Sequence, residues 1–116
     1  MYVMDTLIKS INDNGIERKY EYKILRSSFI RNECSGEQIQ SYGIEVERKD
    51  IQSGKVFNFE RNIIKNISPH RYKVQALAKL LCDNVVSPIN FVEVLGEYVD
   101  EYIGDFDSIN KNISIM

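Results

Sequence analysis

The sequence predicts an α+β fold in which a three-stranded antiparallel sheet is followed by two helices packed on one of its faces. Three observations predict this fold. Between Glu17 and Phe59, apolar and polar residues alternate with the period of a half-buried strand. From Ser68 onward, apolar residues recur at helical spacing. Ser68-Pro69 and Ser87-Pro88 each open one helical segment, because serine can cap a first turn where the missing amide of proline costs nothing.

The predicted sheet has its first strand within residues 17–30, its second around residues 42–47 and its third from Val56 to Phe59. Aromatic and β-branched residues occupy the inward positions of the first two strands. Those inward residues are Tyr20, Tyr22, Ile24, Tyr42, Ile44 and Val46. Residues 50–54 form a hairpin connection in which Gly54 can adopt a positive φ. The end of the third strand stays open, because Ile63, Ile64 and Ile67 fit no single period. The opposite face is expected to carry Lys19, Lys23, Glu45, Glu47 and Arg48 into water.

The first 15 residues fit two structures. Asp5 could cap a short helix carrying Leu7, Ile8 and Ile11 on one side and ending at Asn14-Gly15. The same residues could form an edge strand followed by an Asn-Gly turn. We favour the short N-terminal helix.

Two helices follow the sheet. Val74, Leu77, Ala78 and Leu81 form the inward stripe of the first. The inward residues of the second are Phe91 or Val92, Leu95, Val99, and Tyr102 or Ile103. Gly96 lies mid-helix at a cost of about 1 kcal/mol relative to alanine, so another backbone is expected to approach it closely. Residues 1–104 are predicted to be a single domain and residues 105–116 a loosely ordered tail.

Composition indicates a soluble globular domain of 116 residues with 43% hydrophobic residues, 28% charged residues and a net charge of −2. This charge gives no general attraction to nucleic acid or to an anionic membrane. No apolar run approaches the roughly 18 residues that cross a bilayer. Cys34 and Cys82 are too few and too distant for a disulfide framework. Since no export signal is visible, a cytoplasmic location is expected.

A resemblance is carried by short aliphatic motifs spread over the chain. They are Tyr42-Gly-Ile-Glu-Val, Ile67-Ser, Val74-x-x-Leu-x-x-x-Leu, Val86-Ser-Pro and Phe91-x-x-Val-Leu. In these motifs the chain resembles a small family of uncharacterised proteins from spore-forming, anaerobic clostridial bacteria. The resemblance covers residues 20–103. It implies a host type and a fold but no functional site, and it excludes the N-terminal arm and the isoleucine-rich tail.

No arrangement of residues indicates catalysis or metal binding. His70 is the single histidine and has no nucleophile or acid beside it other than Ser68. Zinc sites require clustered thiolates and imidazoles, and Asp105-Phe-Asp107 offers too few oxygen ligands for calcium. Cys82 fits a core position, and Cys34 fits an exposed loop. The chain is therefore predicted not to be an enzyme and to need no cofactor.

The charge distribution is the feature that suggests a function. The second helix and the segment that follows it carry an acidic run with no basic residue among its members: Glu93, Glu97, Asp100, Glu101, Asp105 and Asp107. The basic residues cluster on the first strand and the first helix, at Arg18, Lys19, Lys23, Arg26, Arg31, Arg71, Lys73 and Lys79. These charges could pair within the monomer or solvate two faces. Alternatively, Glu93, Glu97, Asp100 and Glu101 could recognise a basic partner protein, or the chain could form a homodimer.

A ligand-binding or enzymatic site between the sheet and the helical pair is the alternative function. Tyr20, Tyr22, Arg26 and Tyr98 would build it. A polar-lined pocket between the sheet and the helices would favour this alternative function, whereas dense packing between the sheet and the helices would favour protein binding.

Overall fold

A computed structural model describes residues 1–30, 36 and 38–115, with side chains described as far as Asp107. Four antiparallel strands form one sheet in the order β1-β2-β3-β4, and two helices follow it. The strands are β1 (Tyr2–Asp13), β2 (Ile16–Ile30), β3 (Gln38–Gln52) and β4 (Lys55–Ser68). The helices are α1 (Arg71–Asp83) and α2 (Pro88–Ile115). The fold is α+β as predicted, but the prediction of three strands is wrong.

The additional strand is β1, in place of the short N-terminal helix that we favoured. Asn14 (φ 50°) and Gly15 (φ 82°) both adopt positive φ in a two-residue turn. Such turns match the twist of paired strands, and this one places Leu7 opposite Tyr22 on β2. An isolated short helix is marginal in water, whereas β1 gains a ladder of hydrogen bonds along β2. The edge-strand alternative is confirmed.

The second hairpin joins β3 to β4 through Ser53 (φ 53°) and Gly54 (φ 77°), which confirms the predicted connection. β4 then continues to Ser68, well beyond the predicted start at Val56–Phe59. Its apolar residues fit no single period because the register with β3 shifts near its end, where Ile44 pairs with Ile64 but Tyr42 pairs with Ser68.

Gly43 is required by this register shift. A Cβ atom at Gly43 would collide with the backbone carbonyl groups of Ile64 and Lys65. The backbone of β4 therefore passes closely over this position of β3, which only glycine allows.

The hydrophobic core lies between the sheet and the helical pair. The predicted stripe of α1 is confirmed, since Val74, Leu77, Ala78 and Leu81 are all buried. On α2, Phe91 and Leu95 are fully buried, whereas Val92 is 47% exposed and Ile103 is 62% exposed. The buried residues of both helices pack against the inward side chains of β2 and β3, namely Tyr20, Tyr22, Ile24, Ile44 and Val46.

The two helices are joined by a tight reversal at Val85. The amide of Val85 donates to the carbonyl oxygen of Cys82 over 3.2 Å, and that of Val86 donates to Leu81 over 3.0 Å. Val85 adopts φ 51°, in the pattern of hydrogen bonds that commonly closes a helix with glycine. At the other end of α1, the Ser68 hydroxyl oxygen accepts from the His70 amide, directly before the helix begins at Arg71.

Helix α2 continues through Gly104 to Ile115. Residues 105–107 contact the rest of the chain: the rings of Phe106 and Phe29 lie 5.6 Å apart, and the Lys73 ammonium lies 2.6 Å from the Asp105 carboxylate. The boundary at Gly104 between a domain and a loosely ordered tail stays a prediction. The expected close approach of a backbone at Gly96 is wrong, because no atom lies within 4 Å of a Cβ built there.

Candidate functional site

The predicted partner-binding residues Glu93, Glu97, Asp100 and Glu101 are all exposed on α2. Positions 93, 97 and 101 follow one another at intervals of four residues, and position 100 lies three residues after 97, so the carboxylates share one side of the helix. We call these four residues the acidic face. Within the part of the chain whose side chains are described, no basic group lies within ion-pair distance of any of them.

Two of the basic residues that could have neutralised the acidic face, Lys23 and Lys73, pair elsewhere. Lys23 on β2 contacts three carboxylates of the sheet, at 3.0 Å from Glu47, 3.6 Å from Glu45 and 3.8 Å from Glu21. On α1, Lys73 pairs with Asp105. Asp105 therefore differs from the acidic face, because its charge is paired, although the sequence analysis grouped it in the same acidic run.

The acidic face also lies in the middle of its helix. If the second helix ended near Gly104, where the sequence predicted a loosely ordered tail to begin, the macrodipole would oppose the negative charge of these carboxylates. Because α2 extends to Ile115, Glu101 is several turns from the end, and the dipole acts only within the last turn. Mutual repulsion of the carboxylates, and not the dipole, is therefore the electrostatic cost of the acidic face.

Apolar side chains adjoin the acidic face on the solvent side of α2. Ile89 is 71% exposed, Val92 is 47% exposed and Ile103 is 62% exposed. Gly96 lies between Val92 and Ile103 at helical spacing, with open space above it. The outer side of α2 therefore combines a row of carboxylates with apolar contact area, as partner-binding helices do.

The structure does not bring together the four residues of the alternative site. Tyr20 and Tyr22 stack in the core with ring centroids 6.4 Å apart. The hydroxyl of Tyr22 donates to the carbonyl oxygen of Val86 over 2.9 Å, and burial raises the pKa of this phenol. Tyr98 lies on α2 beside Tyr102. Arg26 instead lies over the ring of Tyr2 at 5.1 Å, at the edge of the sheet.

A groove of about 320 Å³ lies at the margin of the seam, where α1 passes over β1 and β2. The residues that line it are Asp5, Leu7, Ile24, Gln75, Lys79, Cys82 and Asp83. None of the four residues proposed for the alternative site lines this groove. The seam itself is filled by fully buried side chains such as Tyr22, Leu81 and Leu95.

Ion pairs lie on both faces of the sheet, outside the area that the helices cover. On the face away from the helices, the Arg61 guanidinium lies 2.7 Å from Glu45, which is buried. The hydrogen bond from Lys23 to Glu47 raises the pKa of Lys23. Arg48, which the sequence placed on this face, lies on the opposite one, because strand alternation puts it beside Asp50.

Asp50 is the most strongly held carboxylate of the sheet. Arg48 donates two hydrogen bonds to it at 2.9 and 3.0 Å, Asn58 donates one at 2.9 Å, and Arg18 lies 3.1 Å away. The hydrogen bonds from Arg48 lower the pKa of Asp50 to about 2, although burial acts in the opposite direction. All four residues serve to hold the long hairpins together.

The other candidate residues form no reactive arrangement. His70 contacts the ring of Tyr72 at 5.7 Å. Cys82 is a free thiol beside the core, and Cys34 lies outside the described residues. Among the residues that the structure describes, no group of three or more metal-ligating side chains occurs. No helix in that part of the chain is long and apolar enough to cross a membrane.

Comparison with protein families gives one match. A model described as a family of unknown function (DUF6514) matches residues 1–101. The chain belongs to this family. The DUF6514 match includes β1, which the resemblance seen in the sequence had left out, and it extends to Glu101 in the acidic face. No curated protein and no solved structure matches the chain.

One concavity was missed in the sequence. It lies at the end of the sheet, has a volume of about 430 Å³ and includes Tyr2, Arg26, Gln40 and Lys65. The signal that could have found part of it is Asn14-Gly15. A two-residue turn there pairs β1 with β2 as far as Asp5, and a register shift between Val3 and Asp5, which the sequence did not reveal, then brings Tyr2 opposite Arg26.

Proposed function

We propose that the chain is a small cytoplasmic protein of clostridial bacteria that acts by binding a basic partner protein through the acidic face of α2. The observation that carries this proposal is the set of four exposed carboxylates that form no ion pair with any described side chain, while Lys23, Arg48 and Lys73 are each paired with other carboxylates. Charge complementarity of this kind steers association and selects among partners.

The apolar residues beside the acidic face supply the contact area that charges alone do not give. Ile89, Val92 and Ile103 are exposed on the same helix. A basic amphipathic segment of the partner fits this combination, since its cations would meet Glu97 and Glu101 while its apolar side chains cover Val92. Interfaces of this kind combine desolvated apolar contacts with a charged rim.

A homodimer through the acidic face is disfavoured by the same charges. A two-fold axis across α2 would set the carboxylates of one copy against those of the other, and like charges brought together in this way cost several kcal/mol. A separate basic protein is therefore the occupant that we propose.

The test places a photo-crosslinking amino acid at Val92 and exposes living cells to light. We expect an adduct with a partner protein, and peptide mapping of the adduct should identify a basic segment. The variant Glu97→Gln/Asp100→Asn/Glu101→Gln should strongly reduce the yield, and raising the salt concentration should reduce binding of the purified partner because surface charges are screened.

A matched control separates this proposal from a general effect of net charge. Asp13→Asn/Glu17→Gln/Asp83→Asn removes the same number of carboxylates far from the acidic face and should leave the adduct unchanged. Equal adducts for both triple variants would overturn the proposal. An adduct with a second copy of this chain, or with an acidic segment, would overturn it as well.

A further inference from the structure

We propose that the concavity at the end of the sheet binds a small phosphate monoester. Eight residues contributed by all four strands line it, and its volume is about 430 Å³. They are Met1, Tyr2, Arg26, Ser27, Ser28, Gln38, Gln40 and Lys65. None of these residues is acidic, although the chain as a whole has a net charge of −2.

The two cations of this site, Arg26 and Lys65, differ from the five basic residues of the sheet that pair with carboxylates. Across the residues with described side chains, neither has a carboxylate within ion-pair distance. The basic residues that do have one are Arg18, Lys19, Lys23, Arg48, Arg61, Lys73 and Lys79. Two positive charges thus lie on one concave surface with no counter-charge among the described side chains.

Tyr2 orients the guanidinium of Arg26. The central carbon of that group lies 5.1 Å from the centre of the Tyr2 ring. Contact with the face of an aromatic ring satisfies the flat side of a guanidinium and leaves its N–H edge available for hydrogen bonds. That edge presents donors in the fork that matches two oxygens of a phosphate group.

The neutral residues add further hydrogen-bond donors. The amide nitrogen of Gln38 donates to the hydroxyl oxygen of Ser28 over 3.1 Å. A hydroxyl that accepts in this way retains its own hydrogen to donate. Gln40 donates to the hydroxyl of Tyr42 over 2.6 Å, which fixes its side chain along the strand. The lining therefore offers cationic and neutral donors without a carboxylate that would repel an anion.

The charge and the volume together select the ligand class. A phosphate monoester carries about −1.5 to −2 charges at neutral pH and has three acceptor oxygens, which matches two cations better than a monocarboxylate does. Typical ligand pockets begin at about 300 Å³, so a cavity of this size has room for an organic group beyond the phosphate. This site is separate from the acidic face and does not depend on the protein-binding proposal.

The test titrates the isotope-labelled full chain with glycerol phosphate, inorganic phosphate and acetate while amide NMR shifts are recorded. We expect saturable shifts confined to the four strand segments that line the concavity, around residues 2, 26–28, 38–40 and 65, with glycerol phosphate binding at least tenfold more tightly than acetate. Arg26→Gln should weaken binding of glycerol phosphate about tenfold or more, because a charge-assisted hydrogen-bonding group is lost. Lys65→Gln should weaken it in the same direction.

Lys49→Gln is the matched control, since Lys49 lies on the sheet away from the concavity, and it should bind glycerol phosphate as the unmodified chain does. Lys65→Gln keeps the test decisive if Arg26→Gln disturbs folding, because Lys65 is exposed.

Shifts without saturation, or equal weakening by Lys49→Gln, would overturn the site. If inorganic phosphate bound more tightly than glycerol phosphate, the assignment of a phosphate monoester as the ligand would be overturned. If acetate bound as tightly as glycerol phosphate, the site would not select phosphate groups at all. The triple variant of the acidic face should retain this binding, so the two proposals can fail independently.

Discussion

Asp50 is a fully buried carboxylate that remains charged because two guanidinium groups and one amide surround it. Its side chain is 3% exposed, and Arg48 and Arg18 lie 2.9 Å and 3.1 Å from its oxygens. A buried charge without partners would cost several kcal/mol, whereas a well-bonded one can be tolerated. The strand spacing in the sequence did not reveal this group, because its partners come from β2, β3 and β4.

Replacing Asp50 by asparagine should destabilise the fold by about 3 kcal/mol, because Arg18 and Arg48 would lose their shared counter-charge in a buried position. Since the folded pKa of about 2 lies below the ordinary value of 3.8, the carboxylate stabilises the fold fully above the ordinary value. That stabilisation is lost as the pH falls towards 2. Urea denaturation at several pH values measures both effects. A wild-type stability that stays constant between about pH 4 and pH 2, or a neutral Asp50→Asn variant, would contradict this account.

Gly43→Ala is expected to destabilise the fold by about 1–3 kcal/mol, because the new methyl group would collide with the carbonyl groups of Ile64 and Lys65. Gly96→Ala on α2 is the control. No atom lies near a Cβ there, so alanine should stabilise that helix by up to about 1 kcal/mol. Thermal and chemical denaturation of both variants test this, and equal effects of the two substitutions would count against the close passage of β4 over β3.

At the scale of elements, α1 and α2 are held on the sheet by one stripe of side chains each. Leu77 is 3% exposed and Leu95 is fully buried. The turn at Val85 joins α1 to α2, and the hydrogen bond from Tyr22 to Val86 ties this turn to the sheet. The helical pair therefore depends on the sheet for its inner surface.

Leu77→Ala and Leu95→Ala should each cost about 2–5 kcal/mol, through lost burial and the cavity that remains. Val92→Ala on the outer side of α2 should cost less than about 0.5 kcal/mol. Denaturation curves of the three variants give these values. A neutral Leu95→Ala, or a Val92→Ala as damaging as Leu77→Ala, would show that the inner face of the helical pair has been assigned wrongly.

At the scale of the whole molecule, charge is divided unevenly. Cations of the sheet and of α1 are largely satisfied by nearby carboxylates, as Lys23 and Lys73 illustrate. The acidic face of α2 and the cations of the concavity are two groups of opposite sign that have no ion pair among the described side chains. This separation gives the molecule one surface suited to a basic protein and another suited to a small anion.

The triple variant Glu97→Gln/Asp100→Asn/Glu101→Gln should keep or slightly raise the stability of the fold. Glu97 repels Glu93 and Glu101 at intervals of four residues, and each such like-charge pair costs about 0.2–0.5 kcal/mol. Chemical denaturation at low and moderate salt measures the difference, which should shrink as salt screens the charges. A clear loss of stability would mean that these carboxylates support the fold, and the proposed role in association would lose its basis.

The prediction succeeded where a local pattern carries the information. The period of α1 identified all four of its buried residues, and Gly54 marked the second hairpin correctly, because helical spacing and positive φ are properties of short segments. The N-terminal strand was missed since Leu7, Ile8 and Ile11 fit either period. Arg48 was assigned to the wrong face because it directly follows Glu47, and successive side chains of a strand point to opposite faces.

The sequence by itself determined the α+β class, the inner faces of both helices and the position of the acidic face on the second helix. Each follows from residue spacing within one segment. Only the tertiary structure decided which charges remain unpaired and that Tyr2, Arg26, Gln40 and Lys65 share one concavity. These residues come from four strands, and their meeting depends on two turns and a shifted register that no single segment encodes.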